Sequence, residues 1–313
     1  MATFSQEVRD QLSGIPVKPV HCRRAELAAL IGQMGSFALP SRGVIFLVLQ
    51  SDSFAAVRRA DFLLRSLSGT QPEVTALRSR QWKEPLYTLI VREQEPLRRL
   101  LTETGFLTAG GALREEEARV PARLLERECC RRAWLRGLFL AAGSVSDPHR
   151  SYHMEWTPGS EERCAQLREI LAGFGLEAGV TDRRGNPAVY LKKAEAVSDA
   201  LSLMGAFRSR LELEDIRILR GVRGDVNRQV NCETANLKKI AGAGADQIGA
   251  IRKIDAGPGL LSLPDTLREI AVLRLENPDA SLEELGQMAD PPLGKSGVNH
   301  RLRRLKQIAE TLG

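Results

Sequence analysis

Cys130-Arg-Arg-Ala-Trp-Leu-Arg-Gly-Leu-Phe-Leu-Ala-Ala-Gly-Ser144 is the stretch on which the fold turns, because the chain contains it twice. Residues 22–36 read Cys-Arg-Arg-Ala-Glu-Leu-Ala-Ala-Leu-Ile-Gly-Gln-Met-Gly-Ser, and without a gap eight of the fifteen positions are identical. Both copies have helical periodicity. Leu27, Leu30, Ile31 and Met34 share one stripe, as do Leu135, Leu138, Phe139 and Ala142. Small residues punctuate both: Ala28, Ala29 and Gly32 in the first, Gly137, Ala141 and Gly143 in the second. Helices lined this way can approach backbone to backbone, so the two copies are expected to pack on each other at a pseudo-dyad.

The duplication continues outward as pattern. Each copy is followed by a strand-like run (44–49, then 152–157) and a helical stretch. The first of these helices carries Phe54, Val57, Phe62 and Leu63; the second carries Leu167, Ile170, Leu171 and Phe174. Strands at 86–91 and 188–191 come next. A closing helix in each copy stops at Gly105 or Gly205, where a left-handed residue costs least. The segment between the copies, roughly 109–120, contains Gly110, Gly111 and the acidic run 115–117, and reads as a solvated connection.

With 313 residues, of which 43% are apolar and 27% charged, the chain has the composition of a folded protein of two or three domains. The net charge of +6 permits an anionic partner but proves none, because only clustered charge makes a binding field. The longest apolar run, 44–49, is far short of the ~20 residues of a membrane span, and the first ten residues show no export signal. Five cysteines, with no Cys-x-x-Cys spacing, argue against a disulfide scaffold or a tetrahedral zinc site and for reduced thiols, so no metal or cofactor is expected. The expected location is the cytoplasm.

Leu135-Arg-Gly-Leu-Phe-Leu-Ala-Ala-Gly143 resembles a degenerate LAGLIDADG motif, the helix pair of one class of homing endonucleases. The longer string 129–148, the run Asn227-Arg-Gln-Val-Asn-Cys-Glu-Thr-Ala-Asn-Leu237 and the tail Leu275-Glu-Asn-Pro-Asp-Ala-Ser-Leu-Glu-Glu-Leu-Gly286 resemble the bacterial WhiA family. The resemblance covers nearly the whole chain. It implies a transcription regulator tied to sporulation or to cell division and chromosome segregation, with association with the nucleoid. It also implies a LAGLIDADG-like body and a C-terminal helix-turn-helix. The departure from the nuclease pattern is chemical. LAGLIDADG nucleases carry an acid at the eighth motif position, which binds the metal that activates water. Here those positions are Met34 and Ala142, neither of which can ligate a hard cation. Asp147, beyond the helix end and beside Pro148, reads as a turn residue. The expectation is therefore no catalytic residue and no enzyme activity. A residual metal-dependent nuclease is one rival reading; a protein–protein module that only tethers to DNA is another.

Two glycine-rich strings fail their spacing tests. In Leu293-Gly-Lys-Ser296 the first P-loop glycine would fall on Ala289, and in Gly242-Ala-Gly-Ala-Asp-Gln-Ile-Gly249 the third dinucleotide-loop glycine falls on Gln247. His21, His149, His153 and His300 are scattered, with no nucleophile–base arrangement.

The last fifty residues point to DNA. The pattern predicts a helix over 264–276, with Leu267, Ile270, Ala271 and Leu275 on one side. Ser281-Leu-Glu-Glu284 is a capping box opening a short helix to about Met288. The proline pair at 291–292 enforces a turn. A long helix is then expected from about Ser296 to about Thr311, docking through Val298, Leu302, Leu305 and Ile308 or Ala309. Between 295 and 306 there are five Lys or Arg and no acid. A short helix, a turn and a basic helix make a helix-turn-helix, whose second helix enters the major groove. Asn299 and Arg303, one turn apart, suit adenine and guanine edges, and His300 suits a base edge or a phosphate. Lys295, Arg301, Arg304 and Lys306 suit phosphates, as do the backbone N–H groups of Ser296 and Gly297. Double-stranded DNA is the expected partner, with another regulator or RNA polymerase as a further one.

Between body and reader, Arg217, Arg220, Arg223, Arg228, Lys238, Lys239, Arg252 and Lys253 are spread along an arm with Asn227, Asn231 and Asn236. Ile216, Leu219, Val222, Val226 and Val230 form its apolar side. Backbone contact with DNA and a purely structural arm remain alternative readings. The expected architecture is α+β: a duplicated LAGLIDADG-like body (1–110 and 121–210), a basic helical arm (211–259) and an all-α helix-turn-helix domain (260–313).

Overall fold

A computed structural model of the protein describes residues 2–39, 44–78, 85–114, 119–183 and 185–312, without the side chains of 236, 237 and 239–241. The acidic run at 115–117 therefore lies outside the described residues, as do the side chains of Asn236 and Lys239. The chain divides into two compact units, Met1–Arg220 and Gly221–Gly313.

The first unit opens with α1 (Phe4–Ser13). Then α2 (Val20–Met34), β1 (Gly35–Ala38), β2 (Phe46–Ser51), α3 (Phe54–Ser68), β3 (Glu73–Leu77), β4 (Leu86–Val91) and α4 (Gln94–Thr104) form the first copy. The second copy repeats the order as α5 (Glu128–Ala142), β5 (Gly143–Val145), β6 (Met154–Trp156), α6 (Glu161–Ala172), β7 (Gly179–Arg183), β8 (Asn186–Leu191) and α7 (Ala194–Met204). Each copy folds its strands into an antiparallel sheet, ordered β1-β2-β4-β3 in one and β5-β6-β8-β7 in the other. The fold is thus α+β and duplicated. Both closing helices end as the glycines require, with φ 86° at Gly105 and 96° at Gly205.

The two repeated helices, α2 and α5, pack against each other inside one hydrophobic core shared by both copies. They come into tight contact at Gly137. A Cβ there would overlap the Glu26 carbonyl and lie 3.0 Å from Ala29 Cβ, so only glycine fits. The other small residues do different work. Gly32 faces Phe106 and Arg163, and Gly143 turns α5 directly into β5. α2 is buried on nearly every side, which is why it is more than a one-stripe amphipathic helix.

An acid lies in this core. Glu26 is fully buried and is held by two equally hidden arginines, Arg59 Nε at 2.6 Å and Arg136 Nη2 at 3.1 Å. Further guanidinium protons reach backbone carbonyls. Arg59 donates to the Ile15 carbonyl at 2.7 Å and Arg136 to the Met204 carbonyl at 2.9 Å. The cluster ties α2, α3 and α5 to the chain before α2 and to the end of α7.

Not all the large apolar residues of α3 face the core. Its inward face is Ala56, Val57, Ala60, Leu63 and Leu64, whereas Phe54 and Phe62 are exposed. Because Arg59 turns inward to Glu26, Phe62 is left on the outer side with the Arg59 guanidinium over its ring, and Phe54 packs on Tyr87. Asp147 is a turn residue, its carboxylate accepting the His149 N–H at 2.9 Å.

The arm is a single 50-residue helix, α8 (Phe207–Ala256), which contributes to both units. Of its apolar side only Ile216 is buried. Leu219, Val222, Val226 and Val230 are exposed, so that apolar side is covered only in its first turns. Arg217 pairs with Glu195 and Glu214, and Arg220 covers the Tyr152 ring and donates to the Pro148 carbonyl. Among the described residues, no helix is long and apolar enough to cross a membrane.

Candidate nucleic-acid interface

The second unit is a small helical core built on the end of α8. Ile251 and Ile254 from α8 meet α9 (Asp265–Glu276), α10 (Leu282–Met288) and α11 (Lys295–Thr311). Val298, Leu302, Leu305 and Ala309 are the buried stripe of α11, with Ile308 only partly covered.

Two devices fix the angle between α10 and α11. Ser281 caps α10: its hydroxyl accepts the Glu284 N–H at 3.2 Å, and its own N–H donates to Glu284 Oε2 at 2.7 Å. That donated bond holds the Glu284 carboxyl below its ordinary range. At the other end of the turn, Leu293 N–H donates to the Gly286 carbonyl at 2.8 Å. A Cβ at Gly286 would overlap the Leu293 carbonyl, so the turn closes only over glycine. The α9–α10 corner is held by Arg274, a residue to which the sequence reading assigned no role. Buried among apolar side chains, it donates to the carbonyls of Pro278 and Ala280 at 3.3 and 2.6 Å. The signal for it was an arginine on the apolar side of a predicted helix.

With Val298, Leu302 and Leu305 turned inward, α11 presents Lys295, Ser296, His300, Arg303, Arg304 and Lys306 to solvent, while Asn299 is half-buried. Lys295 and Asn299 line a cleft with Ser281, Leu282 and Glu283 at the start of α10. Some of the expected contacts are otherwise engaged. Arg301 reaches back to α9, donating to the Thr266 carbonyl at 3.3 Å and to Glu269 at 3.4 Å. The Gly297 N–H donates to the Gly294 carbonyl at 2.9 Å, which removes it from the pair expected for phosphate. Arg304 donates to Gln307, and Lys306 lies 3.7 Å from Asp246 on an exposed edge.

At the C-terminal ends of the central pair, Met34 is buried and Ala142 half-buried, and each helix runs straight into its strand. Among the described residues, the groups that can jointly hold a metal ion are at the opposite ends of these helices: His21, Cys22, Cys129 and Cys130. The fold thus brings together residues that the chain keeps far apart.

A duplicated LAGLIDADG-like body joined to a helix-turn-helix unit is the class of protein these elements define. Models of the WhiA N-terminal LAGLIDADG-like domain, the WhiA LAGLIDADG-like domain and the WhiA C-terminal HTH domain match residues 20–107, 131–223 and 226–309. The chain belongs to the WhiA family. A "Probable cell division protein WhiA" from Heliobacterium modesticaldum is 42% identical over 98% of this chain and 96% of its own. One from Alkaliphilus metalliredigens is 40% identical over 98% of both. The crystal structure of full-length DUF199/WhiA from Thermatoga maritima matches with a TM-score of 0.61 at 30% identity, covering 100% of this chain and 99% of that one.

Proposed function

We propose that this protein is a DNA-binding transcription regulator acting in cell division, with α11 lying in the major groove of its operator. The observation that carries the reading is the two-sided character of α11. Its apolar side is locked into a core, and its free side between 295 and 306 bears only cations and neutral polar groups. The relatives named above as cell division proteins support the biological setting.

In this reading Arg303 and Asn299 face base edges, and His300 faces a base edge or a phosphate. Lys295, Arg304, Lys306 and the Ser296 N–H hold phosphates. Arg301, bridged to Glu269, orients α11 on α9 and reaches phosphate only by leaving that pair. The body acts as a non-hydrolytic scaffold, because Met34 and Ala142 offer no oxygen ligand where a LAGLIDADG nuclease needs its metal. The protein works in the cytoplasm, on the nucleoid.

A second reading, in which the protein binds another regulator or RNA polymerase, draws on the exposed apolar residues Leu219, Val222, Val226 and Val230. Leu219→Glu combined with Val226→Glu should abolish such an interaction and leave duplex affinity unchanged.

The deciding experiment is duplex binding by fluorescence anisotropy across a salt series with magnesium present, followed by a denaturing gel. Salt-sensitive binding with intact strands is the expected result. Cleaved strands would restore the nuclease, and no binding at low salt would reject α11 as a reader.

A further inference from the structure

The central helices begin, as well as end, as a pair. His21 and Cys22 sit in the first turn of α2, and Cys129 and Cys130 in the first turn of α5. In the duplication His21 corresponds to Cys129 and Cys22 to Cys130, so the pseudo-dyad sets two equivalent vicinal pairs against each other. His21 Nδ1 lies 3.1 Å from Cys130 Sγ, 3.3 Å from Cys22 Sγ and 4.0 Å from Cys129 Sγ. All four ligating atoms fall within 4.8 Å of one another.

We propose that His21, Cys22, Cys129 and Cys130 form a structural zinc site that clamps the two repeats together at the N-terminal ends of α2 and α5. Tetrahedral zinc with bonds of about 2.3 Å to sulfur and about 2.0–2.1 Å to nitrogen places its donors about 3.5–3.8 Å apart. The observed contacts bracket that spacing, so the ligands need only small rotations to close on the ion. Three sulfurs and one imidazole make a soft set that favours zinc over magnesium or calcium. On binding, each ligating thiol gives its proton to solvent and the imidazole ligates as the neutral ring. Cys22 and Cys130 are buried, as a structural site requires, while the exposed Cys129 offers the ion its way in. The site is far along the helices from Met34 and Ala142, and it is no remnant of a hydrolytic centre.

The full chain, purified reduced and without chelator, should carry one zinc ion by elemental mass spectrometry. Replacement by cobalt should produce thiolate-to-cobalt charge transfer and the intense visible bands of a tetrahedral site. Even an outer partner of a metal site is worth roughly 10–100-fold in affinity, so Cys130→Ser and Cys129→Ser should each cost more than that. Cys164→Ser, a buried cysteine outside the cluster, should leave zinc content unchanged. Cys129 is exposed, so its variant remains interpretable if Cys130→Ser fails to fold. Metal-free chain from the reduced preparation, zinc retained in both ligand variants, or a disulfide between α2 and α5 found by peptide mass mapping of that preparation would overturn the proposal.

Discussion

Glu26 and Arg136 lie on opposite members of the central helix pair and meet at 3.1 Å with almost no access to water. Arg59 grips both carboxylate oxygens, Nε donating to Oε1 at 2.6 Å and Nη2 to Oε2 at 3.0 Å, and Arg136 adds a second donor to Oε2. Removing one partner of a buried ion cluster leaves the others charged and unpaired, which costs about 3–5 kcal/mol. Glu26→Ala should therefore destabilise the body by that order, read from the urea midpoint at unchanged slope. A loss under about 1 kcal/mol would mean that water reaches the two arginines.

Gly286→Ala should act on the second unit alone. The added methyl meets the Leu293 carbonyl, and the turn between α10 and α11 must open to admit it. Overpacking of this kind costs about 1–3 kcal/mol. Calorimetry of the full chain should show the transition of the second unit falling while that of the body stays. Duplex affinity should fall with it; an unchanged affinity would separate DNA binding from this turn.

Arg303→Ala should weaken binding at particular base pairs by about 1–3 kcal/mol, detectable as a flattened preference across a randomised site library. Lys306→Ala should weaken all sequences alike and lower the salt slope by about one unit. Equal, sequence-independent losses from both substitutions would erase the division between reading and positioning.

Two carboxyls give acid sensitivity a definite sign. Glu284 is held below the usual 4.5 by the Ser281 N–H. For Glu155 burial pulls upward, but hydrogen bonds from Arg183 and His153 outweigh it and the net direction is down. Groups depressed in the folded state contribute stability that is complete above the unfolded value and fades as pH falls through the folded one. Melting temperature should consequently drop below about pH 4.5, and Glu284→Gln, which keeps the capping geometry, should flatten the drop for the second unit. Parallel pH profiles for wild type and variant would exclude Glu284 as a contributor.

What could be read from the chain depended on how local the cause was. The paired helices, the glycine stops at Gly105 and Gly205 and the Ser281 capping box are each written within a few residues, and all appear in the structure. β3 and β7 were illegible because they lie at sheet edges with most side chains exposed and carry no alternating pattern. The Glu26 cluster escaped because its arginines arrive from α3 and α5, and a lone acid in a helix looks like a solvated one. The cysteine cluster is hidden in the chain because its two pairs start two helices that lie far apart in sequence. The duplication itself already paired His21–Cys22 with Cys129–Cys130, and that correspondence was the available signal. Arg301 read as one more cation on a basic helix, since nothing local announces its bond to Glu269.

The crossing at Gly137 also decides which halves can mate. In the aligned copies Gly137 corresponds to Ala29, Arg136 to Ala28 and Glu26 to Trp134. If the first copy met a second molecule of itself, Ala29 would bring a methyl to the point where the Glu26 carbonyl leaves none, and no Arg136 would greet the acid. If the second copy did so, Arg136 would be buried without any carboxylate. The divergence of the repeats has thus made each half a lock for the other half and a misfit for its own twin, so like halves of neighbouring molecules cannot pair in a crowded cell.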